Sequence, residues 1–201
     1  MKFILALAGA VVVGAIAGIG SMLNATGLLS SGASLGHTVA IDHWHSNFSI
    51  GTDAIDPYTK TWVARFGLLA LRREEAVYFT TTVDENGDRL TERCSYLLEG
   101  GDLPGAWWSF TVYTSDGFLP ENRDGRMSFD ATAADGAESW SVILSPKAPI
   151  GSEPWISTAN AGAFDVTMRI YLPDTAFITA PDKVLSAPVV TPLECAAEAS
   201  A

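Results

Sequence analysis

From Trp107 to Tyr113 the sequence alternates. Trp108, Phe110 and Val112 fall on one side, and Trp107, Ser109, Thr111 and Tyr113 on the other. Side chains of a strand point to opposite faces in turn, so this run predicts a β-strand with one apolar face and one mixed face. Such a strand must bury its apolar face against another layer, which excludes an all-helical fold. Ser115-Asp116-Gly117 then turns the chain, and Pro120 ends the short run that follows. Glu121-Asn122-Arg123-Asp124-Gly125-Arg126 is too polar to be buried without a partner for each group, and a second strand-like run ends at Phe129.

The same signature recurs. Ala76 to Val83 is rich in β-branched and aromatic residues, and Asp84-Glu85-Asn86-Gly87-Asp88 supplies turn chemistry before Arg89 to Leu98. These two runs are expected to pair as an antiparallel hairpin. Ser139 to Ser145 places Trp140, Val142 and Leu144 on one face, and Phe164 to Tyr171 does so with Phe164, Val166, Met168 and Ile170. Asp56-Pro57 is a helix start, with Trp62, Phe66 and Leu69 at helical spacing behind it. The expected fold is mainly β: an antiparallel β-sandwich or jelly-roll-like domain with one substantial helix, preceded by a single N-terminal transmembrane helix.

Phe3 to Leu23 is apolar or small throughout, long enough to cross a hydrocarbon core of about 30 Å as a helix. No clean small-x-small cleavage site follows it, which favours an uncleaved anchor over a removed signal peptide. The organisation expected is residues 1–23 as the anchor, or an uncleaved signal, 24–36 as a linker, and 37–201 as a β-rich extracytoplasmic domain. Lys2 is the one charge near either end of the apolar run, and the positive-inside rule then puts the N-terminus in the cytoplasm. Ala6, Ala10, Gly14 and Gly18 recur every four residues and form a stripe that admits a close-packed second helix, from another copy or from a partner. The 23 acidic residues against 12 basic ones give a formal net charge of −11, which argues against a nucleic-acid partner.

Cys94 and Cys195 are the two cysteines, and an even pair in an exported domain predicts a disulfide. Closing a loop of about a hundred residues contributes roughly 4 to 5 kcal/mol in the chain-entropy model. His43 and His45, with His37 and Asp42 nearby, would share one face of a strand, but no further ligand spacing accompanies them, so no metal or other cofactor is expected.

Candidate site residues come from the mixed faces and the polar loops. The late strand carries Asp165, Thr167, Arg169 and Tyr171 opposite its apolar face, where an arginine either pairs with a carboxylate of a neighbouring strand or meets a ligand. Trp155 lies in a loop of Gly, Pro, Ser and Asn, a setting in which tryptophan packs over a pocket or closes a core. Tyr113, Asn122, Arg126, Trp155 and Arg169 would suit an anionic or sugar ligand if they gathered at one end of the sandwich. No nucleophile elbow, phosphate loop, dinucleotide fingerprint or Cys-x-x-Cys is present. The preferred function is therefore a non-catalytic binding or assembly module for an envelope protein, glycan or lipid. The alternative is a carboxylate-dependent hydrolase or other envelope enzyme using Asp116, Glu121 or Asp124 beside Arg126.

Taken together, Glu75-Ala76-Val77-Tyr78, the Asp84 to Leu90 turn, Cys94-Ser95-Tyr96, Trp107 to Tyr113, Asn122 to Arg126 and Met168-Arg169-Ile170-Tyr171-Leu172-Pro173 resemble the bacterial family called domain of unknown function 1214. The resemblance runs over about residues 56–190 and is closest to the short, membrane-anchored alpha-proteobacterial form. It implies a jelly-roll-like domain in the cell envelope, on the periplasmic side of the inner membrane, and supplies no reaction. It also implies a link to proteins with domain of unknown function 1254, which such proteins are fused to or encoded beside. The family's Asn-Trp-Leu-Pro segment stands here as Glu153-Pro154-Trp155-Ile156, and its Asn-Pro turn as Glu121-Asn122-Arg123.

Overall fold

A computed structural model describes residues 2–25, 38–53, 55, 57–65, 71–151 and 153–196. Two compact units are present: Met1–Thr38 with Phe48–Ala70, and Val39–Asn47 with Leu71–Ala201. The first holds α1 (Lys2–Ala25) and α2 (Pro57–Arg65). At 1.5 Å per residue, α1 is about 36 Å long and can span a membrane. Its apolar side chains Phe3, Ile4, Leu5, Val11, Val13 and Ile16 are exposed, and the positions around Gly14 and Gly18 are open. Ser21 Oγ donates to the Gly18 carbonyl at 2.9 Å and lies 3.1 Å from the Tyr58 hydroxyl of α2. Phe66 and Leu69, the helix-start residue Asp56, His37 and residues 26–36 of the expected linker lie outside the described residues, while its first two, Asn24 and Ala25, belong to α1.

The second unit is mainly β. One sheet has six strands in the order β1 (Thr38–Ile41), β2 (Trp44–Asn47), β3 (Ala76–Thr81), β9 (Phe164–Pro173), β5 (Gly105–Thr114) and β6 (Ser128–Asp130). The other has four, in the order β10 (Val189–Cys195), β4 (Cys94–Gly101), β7 (Ser139–Ser145) and β8 (Trp155–Ser157). Their described pairings are antiparallel except β7 with β8, which is parallel. Two short helices, α3 (Thr175–Thr179) and α4 (Pro181–Val184), precede β10.

The apolar faces read from the alternation meet between the sheets. Phe164, Val166, Met168 and Ile170 of β9 are sealed from solvent, as are Phe110 and Val112 of β5. From the opposite sheet Trp140 brings its ring to 4.8 Å from both Trp108 and Phe110 and to 5.9 Å from Phe129. Tyr96 meets Phe164 edge-on at 5.9 Å. This is a sandwich core, with each inner ring supplied by every second residue of its strand. Trp140 fits because its cross-strand partner is Gly100, where a Cβ would stand 2.7 Å from the indole ring. The indole N–H donates to the Gly101 carbonyl at 2.7 Å.

Two local expectations are corrected. The turn after β3 forms: buried Asp84 accepts the N–H groups of Asn86 and Asp88, and Gly87 takes a positive φ of 85°. Yet β3 and β4 do not continue as a hairpin. Pairing stops at the bridge Val83 to Arg89, β3 pairs with β9 instead, and β4 enters the other sheet. Leu90, sealed in the core just after the bridge, and the turn closed by Cys94 N–H to Thr91 O carry the chain across. His43 and His45 do not share a strand face either, because the chain turns at Asp42 (φ 51°) and His43, and only His45 lies in β2.

Cys94 and Cys195 form the disulfide, opposite each other at the end of the β4 to β10 pairing.

Candidate functional site

The outer face of the six-stranded sheet collects the other half of the alternation. Register places Tyr78 of β3, Arg169 of β9 and Ser109 of β5 side by side, with Thr80, Thr167 and Thr111 in the next row. Trp107 and Tyr171 form the row on one flank, and Asp165 and Tyr113 the row on the other. None of these residues is needed for the sandwich core, whose rings lie on the opposite face.

Arg169 lies down along this face. Its Nη1 donates to Thr111 Oγ1 at 3.0 Å and its Nη2 to the Tyr113 hydroxyl. The guanidinium carbon is 5.3 Å from the Tyr113 ring centroid and 5.9 Å from that of Tyr78, within reach of both ring quadrupoles. Of the two readings the sequence left open for Arg169, pairing with a carboxylate is not found among the described residues. The strand's own acid, Asp165, is taken by Arg89 at 2.8 Å. Burial pushes the Asp165 carboxyl above its ordinary range, and the hydrogen bond and charge of Arg89 only partly offset it. The Tyr78 hydroxyl is likewise raised, first by burial and then by neighbouring Tyr171, with Arg169 and a backbone hydrogen bond from Leu71 pulling the other way. Tyr78 therefore keeps its proton at neutral pH.

Trp107 and Tyr171 continue the surface, their rings 5.3 Å apart. Trp107 is held by its indole N–H to Thr132 Oγ1 at 3.0 Å and remains 36% exposed.

Of the residues singled out from the sequence, Tyr113 and Arg169 are joined directly. Asn122 and Arg126 instead lie in the loop before β6, and Trp155, expected in a loop, opens strand β8. The Asn122 side chain donates to the Ala159 carbonyl at 3.4 Å and accepts the Asp124 N–H, the Arg126 carbonyl takes the Ser157 N–H, and the Trp155 indole donates to the Ser145 carbonyl. The alternative acids are also in that region or in turns: Asp124 accepts the Ser157 hydroxyl, while Asp116 and Glu121 are exposed. Tyr78 and Thr111 were not singled out, because only the long-range β3–β9–β5 register brings them to Arg169. Among the described residues no three His, Cys, Asp or Glu side chains converge as metal ligands. His43 Nε2 lies 3.3 Å from the Glu85 carbonyl, and His45 sits beside Thr80 at the far side of the outer face.

A two-sheet β domain that follows a potential membrane-spanning helix, and that presents an arginine among hydroxyls on its outer face, defines a class by fold and surface. Within that class the chain belongs to the family described as "Protein of unknown function (DUF1214)", whose sequence model matches residues 75–175, half of its length. That span contains β3 to β9, and with them Tyr78, Thr111, Tyr113 and Arg169. No curated protein matches the sequence. Among solved structures, the VPA0106 protein of Vibrio parahaemolyticus is similar with a TM-score of 0.56 at 20% identity over 71% of this chain, a likeness of fold. An uncharacterized protein of Burkholderia cenocepacia matches over 59% of the chain at 13% identity and a TM-score of 0.45. This chain spans about a third of the length of each, 36% and 30% respectively.

Proposed function

We propose that this protein is a membrane-anchored binding module of the bacterial cell envelope, and that the outer face of its six-stranded sheet is the binding surface. In this reading α1 crosses the inner membrane with the N-terminus in the cytoplasm, and the β domain stands in the periplasm. The apolar, exposed α1 and the Cys94–Cys195 disulfide support that address, since disulfides persist in oxidising compartments. The stripe Ala6, Ala10, Gly14 and Gly18 docks a helix of a second copy or of an envelope protein, such as one with domain of unknown function 1254.

The observation that carries the binding role is Arg169. A half-buried guanidinium fixed by Thr111 and Tyr113, with no carboxylate to neutralise it among the described residues, is expensive to maintain for stability alone. The test is a photo-crosslinking residue at Ser128, exposed on the same face opposite Thr111, compared with one at exposed Glu138. In intact cells Ser128 is expected to give a discrete adduct and Glu138 none. Equal labelling from both, or none from Ser128, removes this face as the binding surface.

A further inference from the structure

We infer that the outer face binds a carboxylate carried on a ring, with Arg169, Thr111 and Tyr113 taking the carboxylate and Trp107 and Tyr171 taking the ring. This rests on the binding-module reading above and names its ligand class.

The argument begins with proton bookkeeping. Thr111 Oγ1 and the Tyr113 oxygen each accept a hydrogen bond from Arg169, so each keeps its own hydroxyl proton to donate onward. Arg169 itself spends two of its five N–H donors on these contacts. The centre of the face therefore offers donors and one positive charge. Such a set favours an oxyanion over a neutral acceptor, because hydrogen bonds to a charged acceptor are roughly twice as strong, and it repels a cation.

Charge and shape narrow the class. One guanidinium at the centre of the face suits a single negative charge, because the rim cation Arg89 is already taken by Asp165. A planar carboxylate also matches the planar guanidinium fork. Tyr171 is two residues beyond Arg169 on the same strand, hence on the same face at about 7 Å. With Trp107 it forms an exposed aromatic surface beside the charge, the kind on which an aromatic or sugar ring lies flat. An aromatic acid and a uronic acid share this chemistry.

The test is saturation-transfer NMR on the full chain in detergent micelles, titrated with benzoate, glucuronate, methyl benzoate and inorganic phosphate. At least one acid is expected to bind saturably, with the ester and phosphate about tenfold weaker or more. Benzoate alone marks an aromatic acid and glucuronate alone a uronic acid. Tyr113→Phe, which removes one hydroxyl, and Arg169→Lys, which keeps the charge but not the fork, should each weaken the acid by about tenfold. Trp107→Ala should weaken the ring contribution while leaving the acid preferred over its ester. Retention of the disulfide and of the near-ultraviolet dichroism of the tryptophans shows that a variant is folded, and Tyr113→Phe carries the test if Arg169→Lys is not. Binding of neither acid, equal binding of acid and ester, tighter binding of phosphate, or acid affinities unchanged in Tyr113→Phe overturns the assignment. If Ser128 still crosslinks a partner in cells, only the ligand class falls and the binding face stands.

Discussion

The two faces of the β5–β9 pair are built from alternate residues of the same strands, and they differ in what they ask of each residue. On the inner face Phe110, Val112, Val166, Met168 and Ile170 are at most 1% exposed, and Phe110 packs against Trp140 from the other sheet. On the outer face Arg169 holds Thr111 and Tyr113 through guanidinium-to-hydroxyl hydrogen bonds, and Tyr171 packs its ring against Trp107. Packing selects by volume, whereas the outer face selects by proton donors and charge. Stability and recognition are thereby separable at neighbouring positions, Phe110 beside Thr111 and Met168 beside Arg169.

The sharpest way to break this division is to compare substitutions across it. Trp140→Ala should cost about 3–5 kcal/mol, because it empties the space shared by Trp108, Phe110 and Phe129, as read by denaturant unfolding of the full chain in micelles. Replacing Cys94 and Cys195 by Ala should cost about 2–5 kcal/mol in the same assay, with the loop-closure entropy of its long loop setting the upper end, without altering the outer face. Tyr113→Phe should change stability by less than about 1 kcal/mol while affecting binding. A cost for Tyr113→Phe approaching that of Trp140→Ala would dissolve the distinction between the faces.

The smallest effect lies at the rim, where Arg89 pairs with Asp165. The native Asp165 carboxyl titrates above its ordinary value of 3.8, so the folded state holds the proton more tightly than the unfolded one. Its contribution is complete below that value and is lost as pH rises through the raised native pKa. Asp165→Asn should therefore gain stability relative to the parent as pH rises across that window, then stay level. The change should be under about 1 kcal/mol, given the exposure of Arg89. Parallel unfolding curves for the two proteins at every pH would show that Asp165 has no such bias.

What the sequence disclosed follows the same division. The inner face was legible because alternation is local: Phe164 to Ile170 and Trp140 to Leu144 declare their buried sides without reference to the rest of the chain. Arg169 and Tyr113 were legible as polar residues on otherwise apolar strands. Their partners were not, because Tyr78 reaches Arg169 only through the β3–β9 register, which no local pattern encodes. The β3–β4 hairpin failed for a related reason. The turn chemistry at Asp84 to Asp88 is genuine, but a turn fixes only the residues next to it, and the strand beyond it follows the sheet that buries Leu98 and Tyr96. Asn122, Arg126 and Trp155 were grouped by composition, while the structure gives them backbone carbonyls and N–H groups to hold.

The disulfide also determines how this domain carries a mechanical load. Cys94 opens β4 and Cys195 closes β10, so everything from β4 to β10 lies inside one covalent loop. Tension applied between the N-terminal helix and the far end of the chain passes from sulfur to sulfur and bypasses that loop. β4 and β10 are not peeled apart by such a pull, and the tension falls on the segment before Cys94, which among the described residues holds β1, β2, α2 and β3.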